Sequence, residues 1–337
     1  MSSAAERPIR VIQMGLGPIG QRTVAYLAER NGIELVGAID IDPDKQGQDV
    51  GVLSGTESLG VQVEAEAEAV LQREADVVLL TTSSQFTQLK SQLESCIKAG
   101  KSVVSTCEEL AFPFETDPEL AVHIDQLARE HQVAVLGTGV NPGFLMDALP
   151  IFLTSVCRQV DRVLVERFQD ASIRRLPFQQ KIGAGLTPEE FEEKRQSGKI
   201  RHVGFSESIR MIAGALGWKL DKVEDIVAPV IAEKATGSQF IQVEVGQCAG
   251  LRQLGYGYLN GEQVITLELQ AYLGHPEPRD TVTVYGDPEI HSNIAGGVNG
   301  DVATCSMVLN ALQAVQNAAP GLRTMADVPL THWYGQR

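Results

Sequence analysis

Apolar residues follow two rhythms along this chain. In roughly the first 145 residues, short, mainly apolar runs, continuous at Val77–Leu80, alternate with stretches of helical period. Ile9–Met14, Ile33–Ile39, Val77–Leu80, Lys101–Thr106 and Val133–Leu136 read as strands buried on both faces, with a shorter one near Val61–Val63. Helices are expected from Ile19 through Ala25, Leu27 and Ala28, around Ala65–Glu74, over Phe86–Ala99 with Gly100 behind it, and over Pro118–Glu130. Between Asp42 and Gly51 lies an acidic, glycine-containing loop. Strands joined through helices need crossover connections, so a parallel, doubly wound sheet is expected.

From Asp161 onward the period falls to two. Ile265, Leu267, Leu269 and Ala271 alternate with Thr266, Glu268 and Gln270, and Val282 and Val284 with Thr281, Thr283 and Tyr285. One face of an antiparallel or mixed sheet is then buried, and the polar face is left for water or a second subunit. Helices over Pro188–Ser197 and Ser206–Gly217 interrupt these strands. A final helix carries Ala303, Met307, Val308, Ala311, Leu312 and Val315 on one stripe. The fold class is therefore α/β, a Rossmann doubly wound parallel sheet followed by an α+β domain with a mixed or antiparallel sheet. The expected division is residues 1–145, 146–300 and a closing segment 301–337.

Composition adds mostly exclusions. With 337 residues, 43% hydrophobic and 21% charged, the chain has material for two cores. A net charge of −15 argues against nucleic acid and anionic membranes as partners. No apolar stretch reaches the length of a membrane span, and Met1–Arg10 lacks a signal peptide's apolar segment, so export is not expected. Cys96, Cys107, Cys157, Cys248 and Cys305 form no C-x-x-C pair, and no H-x-x-x-H pair occurs. A reducing cytoplasm and no metal are expected.

The chemistry begins at Gly15-Leu16-Gly17-Pro18-Ile19-Gly20, between the first strand and its helix. Gly15 permits the tight turn, Gly17 lets a pyrophosphate approach, and Gly20 allows close helix–strand packing. Asp40, at the end of the second strand, is placed to accept a hydrogen bond from a ribose 2′-hydroxyl. Its charge favours NAD, and Lys45 nearby leaves NADP possible.

Three further loops leave strands at the same edge: Thr81–Ser84, Thr106–Glu109 and Gly137–Asn141. Thr82 and Ser83 either touch the cofactor or cap the next helix. Cys107 is expected to contact the cofactor, and its thiol to pack rather than react. Glu108 and Glu109 follow a buried strand directly. They either face water as loop caps, or place a carboxylate beside a nicotinamide to bind an iminium and activate water. Arg174, Arg175 and Lys181 form a basic, glycine-bearing loop that either covers a cleft or pairs with surplus acids. His275, behind a strand and before Pro276, is either a cleft residue or a plain loop residue.

Taken together these segments resemble the dihydrodipicolinate reductase-like superfamily, in its branch of 2,4-diaminopentanoate dehydrogenases and NAD(P)-dependent amine dehydrogenases. The most specific pieces are Ser105-Thr106-Cys107-Glu108-Glu109-Leu110, Asn141-Pro142-Gly143-Phe144, and Arg174-Arg175-Leu176-Pro177 with Lys181-Ile182-Gly183-Ala184-Gly185. The resemblance implies a second domain that forms a homodimer and a closing segment that returns to the first domain. It implies Glu108 as catalytic residue, Asn141 near substrate and nicotinamide, and His275 in the pocket. Arg174 or Lys181 would then hold a substrate carboxylate. The histidine-rich motif of true dihydrodipicolinate reductases is absent, as is the Glu-Lys-Pro of sugar oxidoreductases. The implied reaction is oxidative deamination of an amine to a ketone and ammonia, reversible as reductive amination. The rivals are a reductase of a C=N or C=C bond in a cyclic or carbonyl substrate, and a dinucleotide sensor without turnover.

Overall fold

A computed structural model describes residues 7–335, and in it the chain forms two compact units. One runs to Phe144 and resumes at Gly300; the other spans Leu145–Asn299. Residues 1–6, part of the polar stretch in which no signal segment is expected, lie outside the described residues, as do residues 336–337.

The first unit opens with β1 (Ile9–Met14), α1 (Pro18–Ala28), β2 (Ile33–Ile39), α2 (Val50–Leu53), β3 (Val63–Glu64) and α3 (Ala67–Leu71). It continues with β4 (Val77–Leu80), α4 (Lys90–Lys98), β5 (Ser102–Ser105), α5 (Pro118–Glu130) and β6 (Ala134–Gly137). The second unit comprises α6 (Ala148–Leu153), β7 (Gln159–Asp170), α7 (Leu176–Lys181), α8 (Pro188–Gln196), α9 (Phe205–Ala215) and β8 (Lys222–Ile231). After these come β9 (Thr236–Gly237), β10 (Gln242–Val243), β11 (Cys248–Leu259), β12 (Glu262–Tyr272), β13 (Arg279–Asp287) and β14 (Ile290–Ala295). The chain then returns to the first unit as α10 (Gly300–Gln316) and β15 (Gly321–Arg323).

The first unit's sheet is parallel throughout, in the order β15-β6-β5-β4-β1-β2-β3. The order reverses at β1, which pairs with both β2 and β4. That reversal is where open parallel sheets collect ligands. Alternate residues of each strand enter different cores: Val78 and Leu80 pack among Leu93, Ile97 and Ile124, whereas Val77 and Leu79 pack among Leu27, Val308 and Leu312. Burial on both faces explains the unbroken apolar run. Some elements differ from expectation. The helix around Ala65–Glu74 shrinks to Ala67–Leu71, and Phe86–Ala99 divides into a 3-10 turn, Thr87–Leu89, and α4. The seventh strand, β15, is only three residues long, too short for a periodic signal.

The loop behind Asp40 is built around Asp49. Its carboxylate accepts the N–H groups of Gly51, Val52, Leu59 and Gly60 and the Ser58 hydroxyl. Burial alone would raise this carboxyl, but the Leu59 N–H, the Ser58 hydroxyl and the other donors hold it down at about 2. A lowered folded value stabilises the protein above the unfolded value near 3.8 and loses that contribution as pH falls toward 2. Asp49→Ala is therefore expected to cost about 1–2 kcal/mol in urea unfolding at pH 7. The gap from the parent protein should close as the melts are repeated from pH 4 toward pH 2; a gap that persists there contradicts this account.

In the second unit a six-stranded mixed sheet runs β14-β13-β7-β12-β11-β8, with β7 and β12 its one parallel pair. Ile265, Leu267, Leu269 and Ala271 are buried, and Thr266, Glu268 and Gln270 half-buried. On β13 the alternation breaks down, because Thr281 and Thr283 are buried too. Hydrogen bonds satisfy them: the Thr281 hydroxyl donates to Glu166, and the Thr283 hydroxyl bonds the His291 ring.

Candidate functional site

At the β1–α1 turn each glycine has its own reason. Gly15 adopts φ +92°, a region that favours glycine. A Cβ on Gly20 would stand 2.0 Å from the Gly15 carbonyl oxygen, so only glycine permits this packing. A Cβ on Gly17 would meet nothing within 4 Å, leaving the open space that a pyrophosphate requires. α1 begins with Pro18 and no side-chain cap, so its first-turn N–H groups stay available to a phosphate, with Ile19 half-buried behind exposed Pro18. These features fit a dinucleotide. Asp40 sits beside the turn: one oxygen accepts the Leu16 N–H at 2.6 Å, the other the Asp42 N–H at 2.9 Å. Lys45 bridges Asp40 and Asp42 at 3.3 and 3.2 Å. Asp40 is thus a tie for the glycine turn as well as the expected ribose acceptor.

Behind β4, Thr82 bonds Gln92, while the Ser83 hydroxyl accepts the Gln85 N–H and bonds Gln88. Both hydroxyls serve the following helical segment, and the Thr82 methyl abuts Gly15.

The two glutamates behind β5 have separate fates. The Glu109 carboxylate accepts the Phe86 N–H at 2.8 Å and so caps the 3-10 turn. Glu108 is half-buried, and its carboxylate makes no hydrogen bond or ion pair among the described residues. Cys107 is buried in the sheet core with its thiol pushed up to about 12 by burial, so only its main chain is left to face a cofactor. The turn behind Glu108 packs on the end of β6, where a Cβ on Gly137 would stand 2.5 Å from the Leu110 carbonyl carbon. From that end comes Asn141, 7% exposed, with both amide atoms unpartnered. Its loop is tied to α10 by the Val140 N–H, which donates to the Thr304 hydroxyl. An unclaimed carboxylate and an unclaimed amide therefore leave neighbouring strands at one edge.

In the second unit the loop Asp170–Arg174 is rigidly built. Asp170 accepts the N–H groups of Ser172 and Gly274, and the buried Gln179 amide donates to the carbonyls of Ala171, Ser172 and Arg174. That frame holds the Arg174 guanidinium 4.0 Å over the Phe178 ring and bonded to Gln169. Lys181 is exposed. Positive charge concentrates here: His202 is lowered to about 3, first by burial and then by Lys181, Arg167 and Arg174. His275 lies between Tyr272 and Phe168. Burial, then Arg279, lowers it, so it is neutral near pH 7. Its Nδ1 accepts the Glu277 N–H, which leaves the proton on Nε2, a buried donor without a partner.

One residue beside the glycine turn, Gln13, escaped the sequence reading. Gln13, wholly buried on β1, donates to the Gly15 carbonyl and the Thr81 hydroxyl, and Thr81 donates to the same carbonyl at 2.8 Å. A glutamine between the apolar Ile12 and Met14, near the carboxyl end of the first strand, was the available signal. Among the described residues, no group of three or more His, Cys, Asp or Glu is placed to hold a metal ion, and no helix is long and apolar enough to cross a membrane.

Residues 144–336 match the family described as the 2,4-diaminopentanoate dehydrogenase C-terminal domain, and residues 9–108 match the dihydrodipicolinate reductase N-terminus. The chain is 34% identical to a 2,4-diaminopentanoate dehydrogenase of Acetoanaerobium sticklandii, over 96% of this chain and 94% of that one. It is 23% identical to an amine dehydrogenase of Streptomyces virginiae, with 96% of each chain covered. The solved amine dehydrogenase of Mycobacterium smegmatis shares the fold with a TM-score of 0.85, at 24% identity over 98% of this chain and 99% of that one.

Proposed function

The chain belongs to the 2,4-diaminopentanoate dehydrogenase family of NAD(P)-dependent oxidoreductases, and from that membership we propose that it deaminates an amine-bearing carbon oxidatively, with Glu108 as the catalytic carboxylate. The observation that carries this assignment is the contrast at β5: Glu109 is spent on the Phe86 N–H, whereas Glu108 has no hydrogen-bond or ion-pair partner among the described residues. The bound nicotinamide supplies the hydride acceptor, or the donor in reverse. Loss of hydride from the amine carbon leaves an iminium cation on the substrate. Glu108 stabilises that cation; at about 4 Å and an effective dielectric near 20 the attraction is worth about 4 kcal/mol. The same carboxylate takes a proton from the water that adds to the iminium carbon, and the carbinolamine then breaks its C–N bond to release ammonia and a ketone. The Asn141 amide, unpartnered among the described residues, offers its NH2 donors and its carbonyl acceptor to nicotinamide or substrate.

For a substrate like 2,4-diaminopentanoate, Arg174 holds the carboxylate, the His275 Nε2–H is a second donor, and exposed Lys181 adds attraction at longer range. Asp40 favours NAD, and Lys45, by offsetting its charge, keeps NADP in use. The half-exposed strand face bearing Arg252, Tyr256 and Glu268 pairs with a second copy to form a homodimer. Five free cysteines support a reducing, cytoplasmic setting.

The test is reduction of NAD by 2,4-diaminopentanoate, other diamino acids and simple amines, together with ammonia-dependent oxidation of NADH by ketones. No reduction with any amine, or NADH oxidation indifferent to ammonia, overturns the reading in favour of a C=N or C=C reductase. Within it, Arg174→Met is expected to raise the KM for 2,4-diaminopentanoate roughly ten- to hundredfold, the loss of one charge-assisted contact, and to leave a monoamine unaffected. Equal losses for both substrates remove Arg174 from carboxylate binding.

A further inference from the structure

A buried ion pair in the second unit has no place in the chemistry above. Arg167 on β7 and Asp280 on β13 stand opposite each other in register, 3% and 4% exposed, with Nε and Oδ1 at 3.6 Å. Such pairs seldom stabilise a fold, because desolvating both charges offsets their attraction. Their hydrogen bonds converge on one residue. Arg167 Nη2 donates to the Val298 carbonyl at 3.0 Å, and the Val298 N–H donates to Asp280 Oδ2 at 2.7 Å. Val298 lies between β14 and the end of the unit, directly behind Gly296 and Gly297, whose φ values are +79° and +67°. Two successive glycines in that region give the segment no preferred path of its own. The pair gripping both main-chain groups of Val298 supplies one. The same segment lines a cleft with Phe168, Gln169, Arg174 and Pro278.

We propose that Arg167 and Asp280 are positioning residues that clamp the Val298 main chain and so fix the wall of the Arg174 cleft, setting the fit for an anionic substrate group. The idea rests on the reading that Arg174 receives a substrate carboxylate. A neutral substrate group needs no such fit, so the clamp separates anionic from neutral amines rather than fast turnover from slow.

Removing one partner strands a buried charge and destabilises the protein, so stability and fit must be read apart. Asp280→Asn is the first variant. The second is the double change Arg167→Met with Asp280→Leu, which removes both charges and the grip on Val298 while keeping the volume apolar. Kinetics are compared for 2,4-diaminopentanoate and 2-aminopentane, with melting temperature and hydrogen exchange at the Val298 amide. Exchange at Val298 should quicken in both variants. The KM for the carboxylate-bearing amine should rise about tenfold or more with kcat little changed, and 2-aminopentane should be unaffected. In the double variant the melting temperature should recover while that KM stays high. The clamp is overturned if Val298 exchange is unchanged, if both amines are affected alike, or if the KM recovers with the melting temperature. If the parent protein turns over no amine at all, the deaminase reading fails, and the exchange at Val298 still decides whether the clamp exists.

Discussion

Glu108→Gln is expected to lower kcat for amine oxidation by about 10²–10⁴-fold, the usual worth of a positioned acid–base group. Glutamine keeps the shape and polarity of the side chain but neither accepts a proton from water nor balances an iminium charge. Because the Glu108 carboxylate has no hydrogen-bond or ion-pair partner to lose among the described residues, the melting temperature and the NADH dissociation constant should stay near those of the parent. Glu109→Ala is the informative contrast. It strands the Phe86 N–H and should cost about 1 kcal/mol of stability, with a far smaller effect on turnover. If Glu109→Ala proves the more damaging to kcat, or if Glu108→Gln turns over within a few-fold of the parent, the catalytic assignment is wrong.

The glycine turn yields the other large effect. A methyl group on Gly20 would stand 2.0 Å from the Gly15 carbonyl oxygen and 2.8 Å from the Thr81 hydroxyl, both held by Gln13. Gly20→Ala must push α1 away from β1, at about 1–3 kcal/mol or more, and should abolish measurable NADH binding. Gly17→Ala meets no protein atom, so thermal melting should be unchanged. Its methyl group instead enters the space assigned to the pyrophosphate, and NADH affinity measured by fluorescence titration should fall by about tenfold or more, roughly 1.4 kcal/mol. A Gly17→Ala protein that binds NADH like the parent would place the pyrophosphate elsewhere.

Much of this was readable from residue order alone. Runs such as Val77–Leu80 announce strands covered on both faces, because each successive residue enters a different core. Two of the three glycines announce their turn because the protein itself demands them, Gly15 through its positive φ and Gly20 through its contact with the Gly15 carbonyl, whereas Gly17 answers only to the open space in front of it. What stayed hidden depends on partners distant in the chain. Nothing near Glu109 tells that it caps the turn at Phe86, and the two adjacent acids look alike until that bond is seen. The pairing of Arg167 with Asp280 needs the register of β7 against β13, and their shared hold on Val298 needs the path of the chain behind β14. β15 escapes because three residues carry no period, and β3, two residues long, lies at the end of the strand expected near Val61–Val63. Thr281 and Thr283 mislead because hydrogen bonds let polar side chains enter a buried face.

The bond from the Leu16 N–H to Asp40 has a consequence for cofactor choice. Where the acid at the end of the second strand contacts only the ribose, replacing it trades one dinucleotide for the other. Here the same carboxylate anchors the main chain of the turn proposed to cradle the phosphates common to both. Replacing Asp40 is therefore expected to weaken NAD and NADP together before it discriminates between them. A lineage, or an engineer, seeking the phosphorylated cofactor would have an easier route through Asp42 and Lys45, whose side chains stand beside Asp40 without donating to the turn.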